Sequence, residues 1–248
     1  MAMRFSTLLH HSYQKIRLVD VGCRGGIHPR WSGIRNLEVI GFEPDAKECG
    51  GLQAGRYFPI ALYSRGGTVK FYVTVDRNCS SIYAPNPNLM SKFVGSDHLA
   101  VEKVVEVPCD TLDHVLESNG LRDVDFLKVD AQGAELDVLH GAEKTLEGVV
   151  GVECEVEFSP IYLNQPLFPD VDTFLRERGF TLLDLEVCRY FRSKKIRSKG
   201  QVLYADALYF RDETMLLEHK IPKAMMIARI YGYYDIAGEL EVSPERRL

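Results

Sequence analysis

The sequence predicts an α/β fold, in which one mostly parallel sheet carries helices on its faces. Two observations lead to it. Short apolar runs of strand length alternate with longer amphipathic stretches, the signature of βαβ units. The first of those runs ends in a glycine-rich turn, VDVGCRGG, as strand-to-crossover junctions in such sheets do. The 248 residues suffice for one large domain, and 46% of them are apolar, enough for a full core.

Taken in order, Ile16 to Gly22 (IRLVDVG) reads as a buried strand closing on the glycine turn, and the helix expected after it would offer unpaired N–H groups. Leu37 to Glu43 (LEVIGFE) reads as a second strand ending at Pro44, and Phe58 to Leu62 (FPIAL) as a third. Val69 to Val75 alternates and is rich in β-formers, which marks an added antiparallel strand. Residues 76–100 hold two prolines, three asparagines and four serines, a lid or a variable surface loop; the insert as a whole spans 76–103. Val104 to Val107 is a further short strand and Thr111 to Glu117 a helix. The clearest unit follows: strand Val124 to Asp130, amphipathic helix Gly133 to Leu146, strand Val149 to Phe158. A helix at Asp170 to Arg178 stops at Gly179. Thr181 to Val187 and Ala207 to Phe210 are the last strands, and Met215 to Leu240 is helical in pattern, broken by Pro222 and Gly232. We read one domain, with a leader over 1–15 and a helical appendage over 213–248.

Bulk properties exclude several classes. A net charge of −5 argues against a general nucleic-acid binder. No run approaches the ~18–20 apolar residues of a membrane span, and the N-terminus lacks the features of a signal peptide. Six scattered cysteines without a CxxC pair indicate free thiols in a reducing, cytoplasmic setting. No histidine spacing suggests a held metal, His10-His11 being only an adjacent pair.

The glycine turn carries the first chemistry. Gly22, Cys23 and Gly26 form a turn that lets backbone approach a ligand, because glycine has no Cβ. Glu43 ends the second strand 21 residues after Gly22, where a carboxylate can accept both ribose hydroxyls of an adenosine. Pro44, with Ala61 and Leu62 at the third strand, completes this candidate cradle. NAD and S-adenosylmethionine share that ribose. Asp20 just before the turn could meet the ammonium of a methionine moiety and would repel a pyrophosphate. GCRGG also departs from GxGxxG. Both points favour S-adenosylmethionine.

Asp130 ends the fourth strand, where ligands sit in open α/β sheets. It can orient or deprotonate an acceptor hydroxyl, or simply cap the following helix. Gln132 and Glu135 follow it as acceptor contacts. Glu153, Glu155 and Glu157 share one face of the fifth strand; Lys128 could pair one of them. Glu157, nearest the carboxyl end, is the second acid/base candidate. Ser81 in the insert and Tyr162 after the fifth strand are further acceptor contacts.

These residues resemble a known family. DFLKVDAQGAELDVLHGAEKTL is similar to the signature of FkbM-type methyltransferases, and VDVGCRGG, GFEPD and VECEVEFSPIYLNQPLF resemble that family's donor turn, second strand and fifth strand. The resemblance covers about Ile16 to Phe210. It implies a class I methyltransferase, Rossmann-like sheet, mostly parallel with an antiparallel last strand. It further implies S-adenosylmethionine as donor and O-methylation of a sugar, glycolipid or secondary metabolite. Gln132 stands where the family carries an acidic residue, and Cys23-Arg24 where small or amide residues are usual.

Six basic residues between Arg189 and Lys199 form either a solvated hairpin loop or an attractor for an anionic acceptor. Met225, Met226, Ile227, Ile230, Tyr231 and Tyr234 suit packing on the domain, or a homodimer contact. The rival functions are an NAD(P)-dependent nucleotide-sugar oxidoreductase, for which the Tyr-x-x-x-Lys pair is missing, and a methyltransferase-like scaffold without turnover.

Overall fold

The computed structural model describes residues 15–53 and 55–241; nearly all of the expected leader, His10-His11 included, lies outside them. Ten strands occur in this range: β1 (Ile16–Val21), β2 (Leu37–Phe42), β3 (Arg56–Phe58), β4 (Ala61–Leu62), β5 (Gly67–Thr74), β6 (Val101–Asp110), β7 (Phe126–Val129), β8 (Gly151–Glu157), β9 (Phe180–Tyr190) and β10 (Gln201–Arg211). Seven of them form one sheet in the order β3-β2-β1-β7-β8-β10-β9. All of its pairings are parallel except those of β10, which runs antiparallel to both neighbours. This is the expected class I sheet with its antiparallel last strand. The order reverses at β1, whose neighbours β2 and β7 lead away in opposite directions, so a crevice opens at the carboxyl ends of these strands.

Several elements differ from the expectation. The FPIAL run splits, because Pro59 has no N–H to continue a ladder. β3 stays in the large sheet, while β4 joins a second sheet of order β4-β6-β5. The single added strand is therefore a three-stranded insert, and the strand expected over Val104 to Val107 runs the full length of β6.

No helix follows the glycine turn among the described residues. Gly25 and Gly26 adopt φ of 76° and 93°, left-handed values that stop a helix from starting. The segment closes instead with one 3-10 turn, Pro29–Trp31, whose tryptophan lies buried against Phe126 with ring centroids 5.4 Å apart.

The helix expected from Gly133 to Leu146 is two, α4 (Glu135–His140) and α5 (Glu143–Gly148), numbered after α1 (Ala46–Gly51), α2 (Pro87–Met90) and α3 (Leu112–Ser118). The break falls at Gly141, where a Cβ would sit 2.4 Å from the Tyr63 carbonyl oxygen. Finally, Pro222 does not break the tail but occupies the first turn of α7 (Ile221–Ile230), where a missing N–H costs nothing. Gly232, at φ 86°, separates α7 from α8 (Tyr234–Glu241).

The two faces of the sheet are unlike. Val19, Val21, Leu127, Val129, Val152, Cys154 and Val156 fill one face, beneath α3, α4, α5 and α6 (Phe168–Glu177). On the other, Ile16, Leu18, Phe126, Leu208 and Phe210 meet α7 and α8. The tail thus packs on the domain. Its docking is also ionic: buried Lys220 and Lys223 reach Asp125 Oδ1 at 2.5 and 2.9 Å. Toward the carboxyl ends this second face turns polar, with Asp20, Lys128, Glu153, Glu155, Glu157 and Asp206. The insert covers that region, its Met90, Phe93 and Leu99 packing with Ile161, Tyr162 and Leu203. Among the described residues no helix is long and apolar enough to cross a membrane.

Candidate functional site

A cavity lies over the carboxyl ends of β1, β2 and β7. Gly22, Glu43, Pro44, Ala61, Leu62 and Asp130 line it, with Arg24, Phe42, Ile60, Phe71, Asn78, Ser80 and Ile82 among the other walls. Gly22 is needed for a definite reason. With φ at 75° it brings β1 against the end of β7, where a Cβ would stand 1.9 Å from the Asp130 carbonyl oxygen. Glu43 is 4% exposed. One of its oxygens accepts from the Asp45 N–H at 2.8 Å, and Arg24 stands 3.6 Å away. Burial raises its pKa against those two influences. Phe42, Ile60, Leu62 and Phe71 beside this carboxylate, with Arg24, Asn78 and Ser80 as polar wall, could hold an adenosine.

The turn contributes less than the sequence suggested. The Gly22 and Cys23 N–H groups donate to the Phe42 carbonyl, Gly26 N–H donates to Cys23, and Gly25 N–H donates to Glu48. No row of free donors remains there. Cys23 is 1% exposed and its sulfur faces Gly41, away from the cavity. Gly26 does not line the cavity either. Asp20 points through the opposite face of the sheet, to Lys128 Nζ at 3.2 Å. The parity of the strand decides this: Val19 and Val21 face the apolar core, so Asp20 cannot.

A second chamber, about 620 Å³, opens beside the first. Asp130, Gln132 and Asn78 belong to both. Its remaining wall comes from distant segments: Asp76, Cys79, His98 and Leu99 of the insert, Glu155 and Glu157 of β8, Ile161 and Tyr162 after it, and Tyr190, Tyr204 and Asp206 of β9 and β10. Gln132, in a left-handed conformation at φ 54°, joins the parts. Its Nε2 donates to Asp130 Oδ1 and to Glu155 Oε2, both at 2.7 Å, and its Oε1 accepts from the Tyr162 hydroxyl at 2.8 Å. An acidic side chain here could make neither donation.

Glu135 lines neither cavity. Its Oε1 accepts from Ala131 N–H at 2.8 Å and Gly133 N–H at 3.1 Å, which fixes the loop that presents Asp130 and Gln132. Ser81 is likewise turned inward, donating to the Gln132 carbonyl at 2.7 Å, while its neighbour Ser80 faces the first cavity. The expected pairing of Lys128 with a β8 glutamate is replaced. Lys128 serves Asp20 and Asp130, whereas Glu153 is met by Arg30 and the Tyr231 hydroxyl.

The electrostatics follow from burial and crowding. Burial raises Asp20 to about 6 despite Lys128, and Asp206 to about 6 with help from Asp130 and Glu153. Glu135 is pushed by burial to about 8. Glu155 and Glu157 are raised well above the ordinary carboxylate range, first by burial; Asp130, Glu157 and Glu135 then repel Glu155, and Glu135 and Asp130 repel Glu157 against a hydrogen bond from Gln165. Carboxylate oxygens of Glu135, Glu155 and Glu157 lie within 4.8 Å of one another, a grouping that geometry allows to hold a cation. Positions 135, 155 and 157 have no metal-ligand spacing in sequence, so only the fold reveals it.

Comparison with known proteins gives the site its chemistry. Residues 31–182 match the model of the Methyltransferase FkbM domain. The 2-O-methyltransferase NoeI of Sinorhizobium fredii (strain NBRC 101917 / NGR234) is 26% identical over 163 residues, 60% of this chain and 66% of that protein, just under two thirds of its length. Among solved structures, the magnesium protoporphyrin IX methyltransferase ChlM of Synechocystis PCC 6803, with bound SAM, aligns at TM-score 0.42 and 8% identity over 84% of this chain and 76% of its own. A TehB-like SAM-dependent methyltransferase of Corynebacterium glutamicum ATCC 13032 Kitasato aligns at 0.34 and 12% identity, over 84% and 86%. Those two structural likenesses are too weak to carry an argument about this chain. The family match spans more than half of the sequence: the chain belongs to the FkbM family of S-adenosylmethionine-dependent methyltransferases.

Proposed function

We propose that this enzyme methylates a hydroxyl group of a small, carbohydrate-like acceptor. The observation that supports this most is the junction of two cavities at Asp130 and Gln132. One cavity fits the donor's adenosine, and the other gives an acceptor room to reach the same aspartate. NoeI, a relative named as a 2-O-methyltransferase, supports oxygen as the nucleophile.

S-adenosylmethionine, when bound, supplies a methyl group already activated on a sulfonium. What remains for the chain is alignment and proton handling. Glu43 would hold the ribose hydroxyls, and the turn at Gly22 would leave the strand ends open to the donor. Asp130 accepts the proton of the attacking hydroxyl. Gln132 holds Asp130 through its 2.7 Å hydrogen bond, and Lys128 Nζ stands 3.7 Å from Asp130 Oδ2. Glu157, Tyr162 and Gln132 contact the acceptor. Glu135 and Ser81 are positioning residues, acting through the loop they hold.

Calorimetry and single-turnover kinetics test this reading. Glu43→Ala should abolish micromolar binding of S-adenosylhomocysteine. Asp130→Asn should keep that binding and lose about 10²–10⁴-fold in kcat. Full turnover by Asp130→Asn would remove the base from that position, and donor binding without turnover on any acceptor would make the protein a scaffold.

A further inference from the structure

We infer that the acceptor carries a protonated amine, received by the acidic chamber beside the donor cavity. This deepens the function proposed above and rests on it, since the acceptor must enter that chamber. Asp76, Asp130, Glu155, Glu157 and Asp206 all face it, and His98 is the single basic side chain on its described wall. Lys128 is consumed by Asp20 at 3.2 Å and Asp130 at 3.7 Å. The basic loop does not compensate: Arg192 is bonded to Gln201, Arg189 to the Gly200 carbonyl, and neither reaches the chamber.

Acidic groups alone would be explained by solvation. A second observation points to a ligand. Glu157 is 2% exposed, and its Oε1 has no hydrogen-bond partner although it belongs to the chamber wall. A buried acceptor atom left bare costs free energy until a donor arrives. An ammonium is the donor that suits this wall best. Its hydrogen bonds are charge-assisted, and it offsets the crowding of like charges. A carboxylate or phosphate on the acceptor would add to that crowding instead. Tyr190 and Tyr204, with ring centroids 6.4 Å apart, supply aromatic faces for a cation or a sugar ring. The volume, about 620 Å³, admits more than a single small ring.

The test loads the enzyme with S-adenosylhomocysteine and titrates three probes by calorimetry: kanamycin A, its fully N-acetylated form, and glucuronate. Kanamycin should bind at least about tenfold more tightly than the N-acetylated form, as expected for desolvated charge pairs, and glucuronate most weakly. Its affinity should fall about tenfold in Asp206→Asn and in Glu155→Gln, each checked for folding by its S-adenosylhomocysteine affinity. Equal binding of the N-acetylated form, preference for glucuronate, no binding of kanamycin, or indifference to both substitutions would overturn the inference. So would displacement of kanamycin by micromolar Mg²⁺ or Ca²⁺, which would make the carboxylates a metal site. Failure of S-adenosylhomocysteine to bind the unaltered enzyme would strike the proposed function itself, and is read separately.

Discussion

The two faces of the central sheet solve opposite problems with the same strands. Under α3 to α6 the side chains are aliphatic and dry, and every residue there serves cohesion. On the other face, one position along each strand, the same β1, β7, β8 and β10 carry Asp20, Lys128, Glu153, Glu155, Glu157 and Asp206. Burying so many carboxylates costs stability, and part of that cost is offset by donors drawn from far away: Gln132, Arg30, Tyr231. The difference teaches that the apolar face makes the fold and the polar face makes the site. The tail helices and the insert then roof the second face so that it stays partly dry.

The largest effect should come from breaking the roof. Asp123→Ala combined with Asp125→Ala leaves Lys220 and Lys223 buried without the two carboxylates they share, and should cost about 3–5 kcal/mol in denaturant unfolding. Leu127→Ala on the apolar face should cost about 2–5 kcal/mol with S-adenosylhomocysteine binding preserved in the folded fraction. A tail whose loss left stability untouched would refute the comparison. Gln132→Glu removes two donations from Nε2 and adds charge between Asp130 and Glu155; about 1–3 kcal/mol of stability should go, together with most turnover.

The smallest effect is in pH. Asp20 and Asp206 move from 3.8 unfolded to about 6 folded, and Glu135 from 4.5 to about 8. The folded state therefore binds more protons than the unfolded one over this interval. Stability from these groups is complete below about 4 and is lost as pH rises through 6 to 8. Asp123 opposes this at the acid end: its pKa is lowered to about 2 because Lys220 and Lys223 overcome its burial, so its contribution disappears below about 4. The melting temperature should accordingly rise as pH falls from about 8 to about 4, and Asp20→Asn should flatten the part of that slope between about 6 and about 4. A flat or inverted profile would mean the polar face is wetter than its burial implies.

Much of this was legible in local pattern. The period-two alternation of β8 puts its three glutamates on one face, and the apolar runs with their glycine turns announce the strands of the parallel sheet. The spacing from Gly22 to Glu43 marks one wall of the first cavity. Other features depended on contacts that no local pattern encodes. The break at Gly141 answers the backbone of Tyr63, and Ser81 turns inward because it bridges to Tyr72 and bonds to Gln132. Asp20 was within reach of strand parity, yet its proximity to the turn suggested a ligand contact.

The sequence by itself determined the sheet, the order of its chemistry along the chain, and the candidates Asp130, Glu43 and Glu157, because these follow from periodicity and from turns a few residues long. Only the tertiary structure decided which carboxylates share one chamber, that Gln132 joins them, and that Asp20 belongs to Lys128. Those outcomes depend on which strands lie side by side and on what covers them, and residues 76, 130, 155 and 206 meet only once the chain has folded.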